Sequence, residues 1–163
     1  MGTSFVCITD RQAGDEPGFW MFDAVLELWL RLLSLHLPEP TDAGDNVATN
    51  EIRSRWLLAS RGYFQGCVPH EMPFACSSAD GKKVVRAAID SLLMSLNQSD
   101  VPMDCETLNL LGIERGMFTT PIDRQVLRDV GYAFLDLLDG KIHDTAAATN
   151  VMPGSLPYQR STG

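Results

Sequence analysis

The sequence is short of cations. Lysine and arginine number 13 against 21 aspartates and glutamates, which sets the formal net charge at −8 and the isoelectric point near 4.7. Binding to nucleic-acid phosphates or to an anionic bilayer needs a basic surface, so the composition speaks against nucleic acid and membrane as partners. Catalytic signatures are missing as well. There is no Gly-rich phosphate loop, Walker sequence, HExxH, GxSxG or EF-hand loop. Paired Cys-x-x-Cys knuckles, internal repeats and coiled-coil heptads are also absent. The first residues, MGTSFVCITDRQ, lack the basic start and long apolar region of a secretion signal, and position 6 is Val where myristoylation wants Ser or Thr. A cytoplasmic setting is expected, with Cys7, Cys67, Cys76 and Cys105 as free thiols.

What is present is a globular balance of 45% hydrophobic and 21% charged residues in 163, enough chain to bury a core. The most apolar stretch is 19–37, FWMFDAVLELWLRLLSLHL. Its charges, Asp23, Glu27 and Arg31, recur every fourth residue and would form one narrow stripe on a helix. A helix apolar around the rest of its circumference is a buried one. Pro17 suits its first turn and Pro38 ends it. Three charges and His36 are too costly in lipid for this to be a membrane span.

Further elements follow from periodicity and punctuation. A short strand is expected over 4–9 and an acidic loop over 39–46. Helices are expected over 49–61, 79–97 and 121–138, with a short one over 104–111. Ser77 with Asp80 reads as the capping box of the third long helix, and Thr120 as the cap of the last. Segment 65–78, QGCVPHEMPFACSS, mixes Gly and Pro with apolar residues and reads as a loop packed on the core. The fold expected is mainly all-α: a single-domain helical bundle of four main helices around a central apolar helix, with a short N-terminal strand. Residues 1–143 form the domain and 144–163 a flexible C-terminal tail.

Four constellations carry candidate chemistry. Cys67, His70 and Cys76 supply zinc-type ligands, but at a spacing unlike a zinc knuckle, so two packed thiols and a surface histidine are the simpler reading and no metal is expected. Cys67 or Cys76 with His70 or His143 could form a nucleophile and base, although nothing marks an oxyanion hole. Asp23 and Glu27 share a face, where Arg31 makes a solvated or salt-bridged seam the simpler reading. Arg53, Arg55 and Arg61 form a basic cluster suited to pairing with the acidic loop or to holding an anion.

The functional expectation is a non-enzymatic, acidic binding protein without a cofactor. It would bind another protein, in the manner of an immunity protein or inhibitor that neutralises a basic toxin or enzyme. The expected contact residues are Asp42, Asp45, Cys67, His70, Glu71 and Phe74. The alternatives are a thiol or zinc site at Cys67, His70 and Cys76, and an adaptor or chaperone docking through its tail.

Overall fold

The computed structural model describes residues 2–10, 15–39, 45–113 and 118–160. The chain is mainly helical, with a two-stranded sheet at its start. Strand β1 (Thr3–Cys7) pairs antiparallel with β2 (Gly18–Phe22), in a register running from Thr3 opposite Phe22 to Cys7 opposite Gly18. Ser4 and Val6 of β1 and Phe19 and Met21 of β2 turn inward and are buried. Phe5 and Trp20 meet on the opposite face, edge to face at 5.3 Å.

The strand over 18–22 corrects the sequence expectation that the apolar run is helical from Phe19. Helix α1 is Asp23–His36, and Pro17 lies outside it. A short apolar run does not distinguish strand from helix by itself. Aromatic residues favour the pleated surface, and β1 provides a ladder that helical continuation would forgo.

The remaining elements are α2 (Asp45–Ala59), the single turn α3 (Met72–Ala75), α4 (Ala79–Leu96), α5 (Cys105–Leu110) and α6 (Arg124–Leu138). Helix α1 packs on α2 and α4, and α4 packs on α6. Trp29 of α1 stacks on Phe134 of α6 at 5.6 Å, and Phe19 meets the same ring edge-on at 5.3 Å. Gly131 makes this crossing possible, since a Cβ there would lie 2.7 Å from Leu93 Cδ2 and 3.1 Å from Trp29 Cη2. The periodic faces expected from sequence are buried: Ile52 and Trp56 on α2, Val85, Ile89, Leu92 and Leu96 on α4, and Val130, Phe134 and Leu137 on α6. Among the described residues no helix is long and apolar enough to cross a membrane.

The caps differ from expectation by one to three positions. Ser78, not Ser77, caps α4 by accepting the Gly81 N–H. Asp123, not Thr120, caps α6 by accepting the Gln125 N–H, while Ile122 is held in a bridge with Met103. Both outcomes follow from a side chain that fits the N2 or N3 amide at the actual start of the helix.

The segment expected as a flexible tail is laid back over the molecule through residue 160. Gly18 N–H donates to Asp144 O and Trp20 N–H to Val151 O, so this strap covers the outer edge of β2. Thr149 and Pro153 are buried. Further on, Tyr158 Oη donates to the fully buried Asp136 of α6 at 2.9 Å and Arg160 donates to it at 3.2 Å. Gly154 lies so close to Val25 and Val130 that a Cβ would come within 2.9 Å and 3.2 Å of them.

Candidate functional site

Segment 66–71 leaves α2 and runs along the sheet, and its course is set by polar groups from distant parts of the chain. Asp23, at the first turn of α1, is buried with both carboxylate oxygens engaged. Ser4 Oγ donates to Oδ1 at 2.7 Å, and the Gly66 N–H donates to Oδ2 at 2.7 Å. The Val68 N–H donates to Ser4 Oγ at 2.8 Å. Trp56 Nε1 donates to His70 O at 3.1 Å.

His70 closes the brace. The Met72 N–H donates to its Nδ1 at 3.1 Å, which leaves Nε2 as the protonated nitrogen, donating to Phe5 O at 3.1 Å. One imidazole thus ties β1, the loop and α3 together. Removal from water pushes its pKa below the usual histidine range, against the hydrogen bond to Phe5 O and the charge of Glu71. Glu71 follows in a left-handed conformation, φ 54°, and directly precedes α3.

These elements enclose a cleft of about 850 Å³. Phe5 and Trp20 of the sheet line it together with Cys67, His70, Glu71 and Phe74, with Asp10 and Arg55 also lining it. Arg55 joins α2 to the far wall: it donates to Glu71 at 2.8 Å and to Glu51 at 2.7 Å, and its guanidinium lies 3.7 Å above the Phe74 ring. Cys67 is exposed at the wall, and Phe5, Trp20 and Phe74 are half-buried.

Of the contact residues expected from sequence, Cys67, His70, Glu71 and Phe74 lie around this one cleft. Asp42 lies outside the described residues, as does the side chain of Asp45, whose backbone opens α2. Phe5, Asp10 and Trp20 were not among the contact residues expected, because only the pairing of β1 with β2 sets Phe5 beside Trp20, and Arg55 was expected only within the basic cluster.

The structure does not gather Cys67, His70 and Cys76 into a ligand set. Among the described residues no three His, Cys, Asp or Glu side chains are placed to hold a metal ion. Both His70 nitrogens are engaged with backbone. Cys76 is buried, and desolvation pushes its thiol up to about 11. His70 is therefore a brace and not a base for either thiol.

Of the solvated or salt-bridged seam expected for the Asp23, Glu27 and Arg31 stripe, the solvated form does not hold, since Asp23 is 1% and Glu27 0% exposed. Gly66, whose N–H reaches Asp23, and Gly112, whose carbonyl accepts from Arg31 at 3.3 Å, come to this side of α1. The arginine cluster is dispersed too. Arg55 serves the cleft, while Arg53 donates to Ser34 O and Leu37 O at the end of α1 and Arg61 is exposed. Comparison with protein-family models, curated proteins and solved structures gives no match to this chain.

Proposed function

We propose that the protein acts by binding another protein, and that the partner seats in the cleft between β1, the 66–71 segment and α3. The observation that supports this is the division of labour among the residues around it. Ser4, Asp23 and His70 commit their donors and acceptors to one another and to backbone, so they position the wall and are not available to react. Facing the opening are half-buried Phe5, Trp20 and Phe74 and the paired Arg55 and Glu71. Aromatic rings and arginine are the residues enriched where interfaces are most tightly buried.

The net charge of −8 favours a basic partner and speeds encounter with one. In its most specific form the reading is a cytoplasmic immunity protein or inhibitor that neutralises a basic toxin or enzyme. The helical bundle of α2, α4 and α6 around α1 would be the frame that keeps the cleft in shape. The adaptor reading, which docks through 144–163, requires the strap to leave β2 and Asp136, and is the weaker one for that reason. A zinc site or a thiol–imidazole pair using His70 would require it to give up one of its two backbone partners.

The test is a set of calorimetric titrations against the products of the genes adjacent to this one, with each product's own activity followed in parallel. One product should bind with a Kd below about 1 μM, lose activity, and bind more weakly as salt rises. An absence of binding and inhibition across that set removes the reading.

A further inference from the structure

The two edges of the β1–β2 ribbon are treated differently. The outer edge of β2 is covered by the strap: Gly18 N–H reaches Asp144 O at 2.9 Å, Trp20 N–H reaches Val151 O at 3.1 Å, and Trp20 Nε1 reaches Ala146 O at 2.9 Å. Among the described residues, the outer edge of β1 is met by a hydrogen bond at one point, where His70 takes the Phe5 carbonyl. The Asp23 N–H donates to Gly2 O at 3.0 Å, and with the strand register this fixes the alternation. Gly2, Ser4 and Val6 turn their backbone groups toward β2, while Thr3, Phe5 and Cys7 turn theirs outward. Among the described residues, the one outward group with a partner is the Phe5 carbonyl, which accepts from His70. Among the described residues the Phe5 N–H and both backbone groups of Thr3 and Cys7 have none.

Phe5 and Ser4 of this strand line the cleft. Open strand edges are ordinarily blunted by lysine, proline or a bulge, because they recruit other strands. The sequence of β1, TSFVC, contains neither lysine nor proline, and it pairs with β2 without interruption. We infer that β1 accepts a third strand in the cleft, an extended segment of the partner protein that pairs with the Phe5 N–H and with the Cys7 N–H and carbonyl, leaves the Phe5 carbonyl to His70, and carries a lysine or arginine beside Asp10.

Main-chain pairing supplies affinity in this mode, and alternate side chains supply specificity. One set would face Phe5 and Trp20, and the other Arg55, Cys67 and Phe74. A second copy of this chain is the poorer occupant, since each copy carries −8. The inference rests on the cleft being a protein-docking site and adds how the partner is held.

The probe is a short linear peptide selected from a random displayed library on the full-length protein, then synthesised with a methyl group on each backbone amide in turn. Strand addition predicts that methylation at alternate amides weakens binding at least about tenfold and that methylation between them is tolerated. It also predicts that the Phe5 and Cys7 amides exchange at least about tenfold more slowly in the complex. Cys7→Pro removes one outward N–H, leaves the pairing with β2 in place, and should weaken the peptide to a similar degree.

A peptide that binds in the cleft but tolerates methylation at every amide overturns strand addition and leaves cleft docking standing. Slowing of the Phe5 and Cys7 amides with protein concentration alone assigns the edge to a second copy and overturns the inference. An adjacent-gene product that binds while those amides exchange as in the free chain also overturns it. Failure of both the library and the adjacent-gene products to bind removes the docking reading together with the inference.

Discussion

The buried carboxylate of Asp23 accepts the Gly66 N–H at 2.7 Å across 43 residues of chain. With Ser4 on its other oxygen, it fixes where α1 begins and where the wall of the cleft runs. Asp23→Ala leaves a hydroxyl and an amide without their acceptor and should cost about 3 kcal/mol, measured by urea denaturation, with Ser4→Ala costing about half as much. Gly2→Ala should destabilise by a different route, because its Cβ would overlap Asp23 Oδ2.

His70 predicts a stability that depends on acid. Its pKa is lowered by burial, so the folded chain favours the neutral ring. The contribution is complete above the unfolded value of about 6.5 and is lost as pH falls below that toward the folded value. Protonation of Nδ1 also takes away the acceptor used by the Met72 N–H. Melting temperature followed from pH 8 to pH 4 should fall more steeply in the wild type than in His70→Gln, after allowance for that variant's lower starting point.

The strap should be part of the folded unit. Tyr158→Phe leaves buried Asp136 without one of its donors and should cost about 1 kcal/mol, a shift of about 2–4 °C in Tm for a chain of this size. Burial first, and then the hydrogen bond to Asp136, push the Tyr158 phenol above its usual range. Its stabilising contribution is therefore intact below about pH 10 and declines as pH rises beyond that, since the unfolded chain ionises first. Denaturation curves between pH 9 and pH 11 should show that decline in the wild type and less of it in Tyr158→Phe.

The thiols should separate by reactivity. Cys67 is exposed, whereas Cys76 is buried with its thiol held at about 11. In a titration with a thiol reagent near pH 8, Cys67→Ser should remove a fast phase, while Cys76 should react only as the chain unfolds. A fast phase that survives Cys67→Ser and disappears with Cys76→Ser would contradict this placement.

Much of the helical fold was legible because helices announce themselves locally. The faces of α4 and α6 are written as apolar residues three and four apart, and Gly112 and Gly140 mark their neighbourhoods with positive φ near the ends of α5 and α6. Strand β2 was not legible, since FWMF continues directly into the apolar helix and becomes a strand only through β1. Asp23 and Glu27 read as a solvated or salt-bridged seam because nothing local reveals that the chain at Gly66 and Gly112 returns to that side. The strap has no apolar period; it is held by backbone bonds to β2 and by one buried carboxylate. The 65–78 segment could be read as a packed loop from its mixture of Pro, Gly and apolar residues, but the bracing role of His70 depends on Phe5, 65 residues away.

The central claim is that the cleft around Phe74 holds the partner, and calorimetry of Phe74→Ala with the adjacent-gene product that binds the wild type tests it most directly. With Tm confirming that the variant is folded, the account predicts binding weakened by about tenfold to a hundredfold, as expected for an aromatic anchor. Wild-type affinity in Phe74→Ala, together with loss of binding in Leu110→Asp at the exposed tip of α5, would place the partner elsewhere and contradict the account.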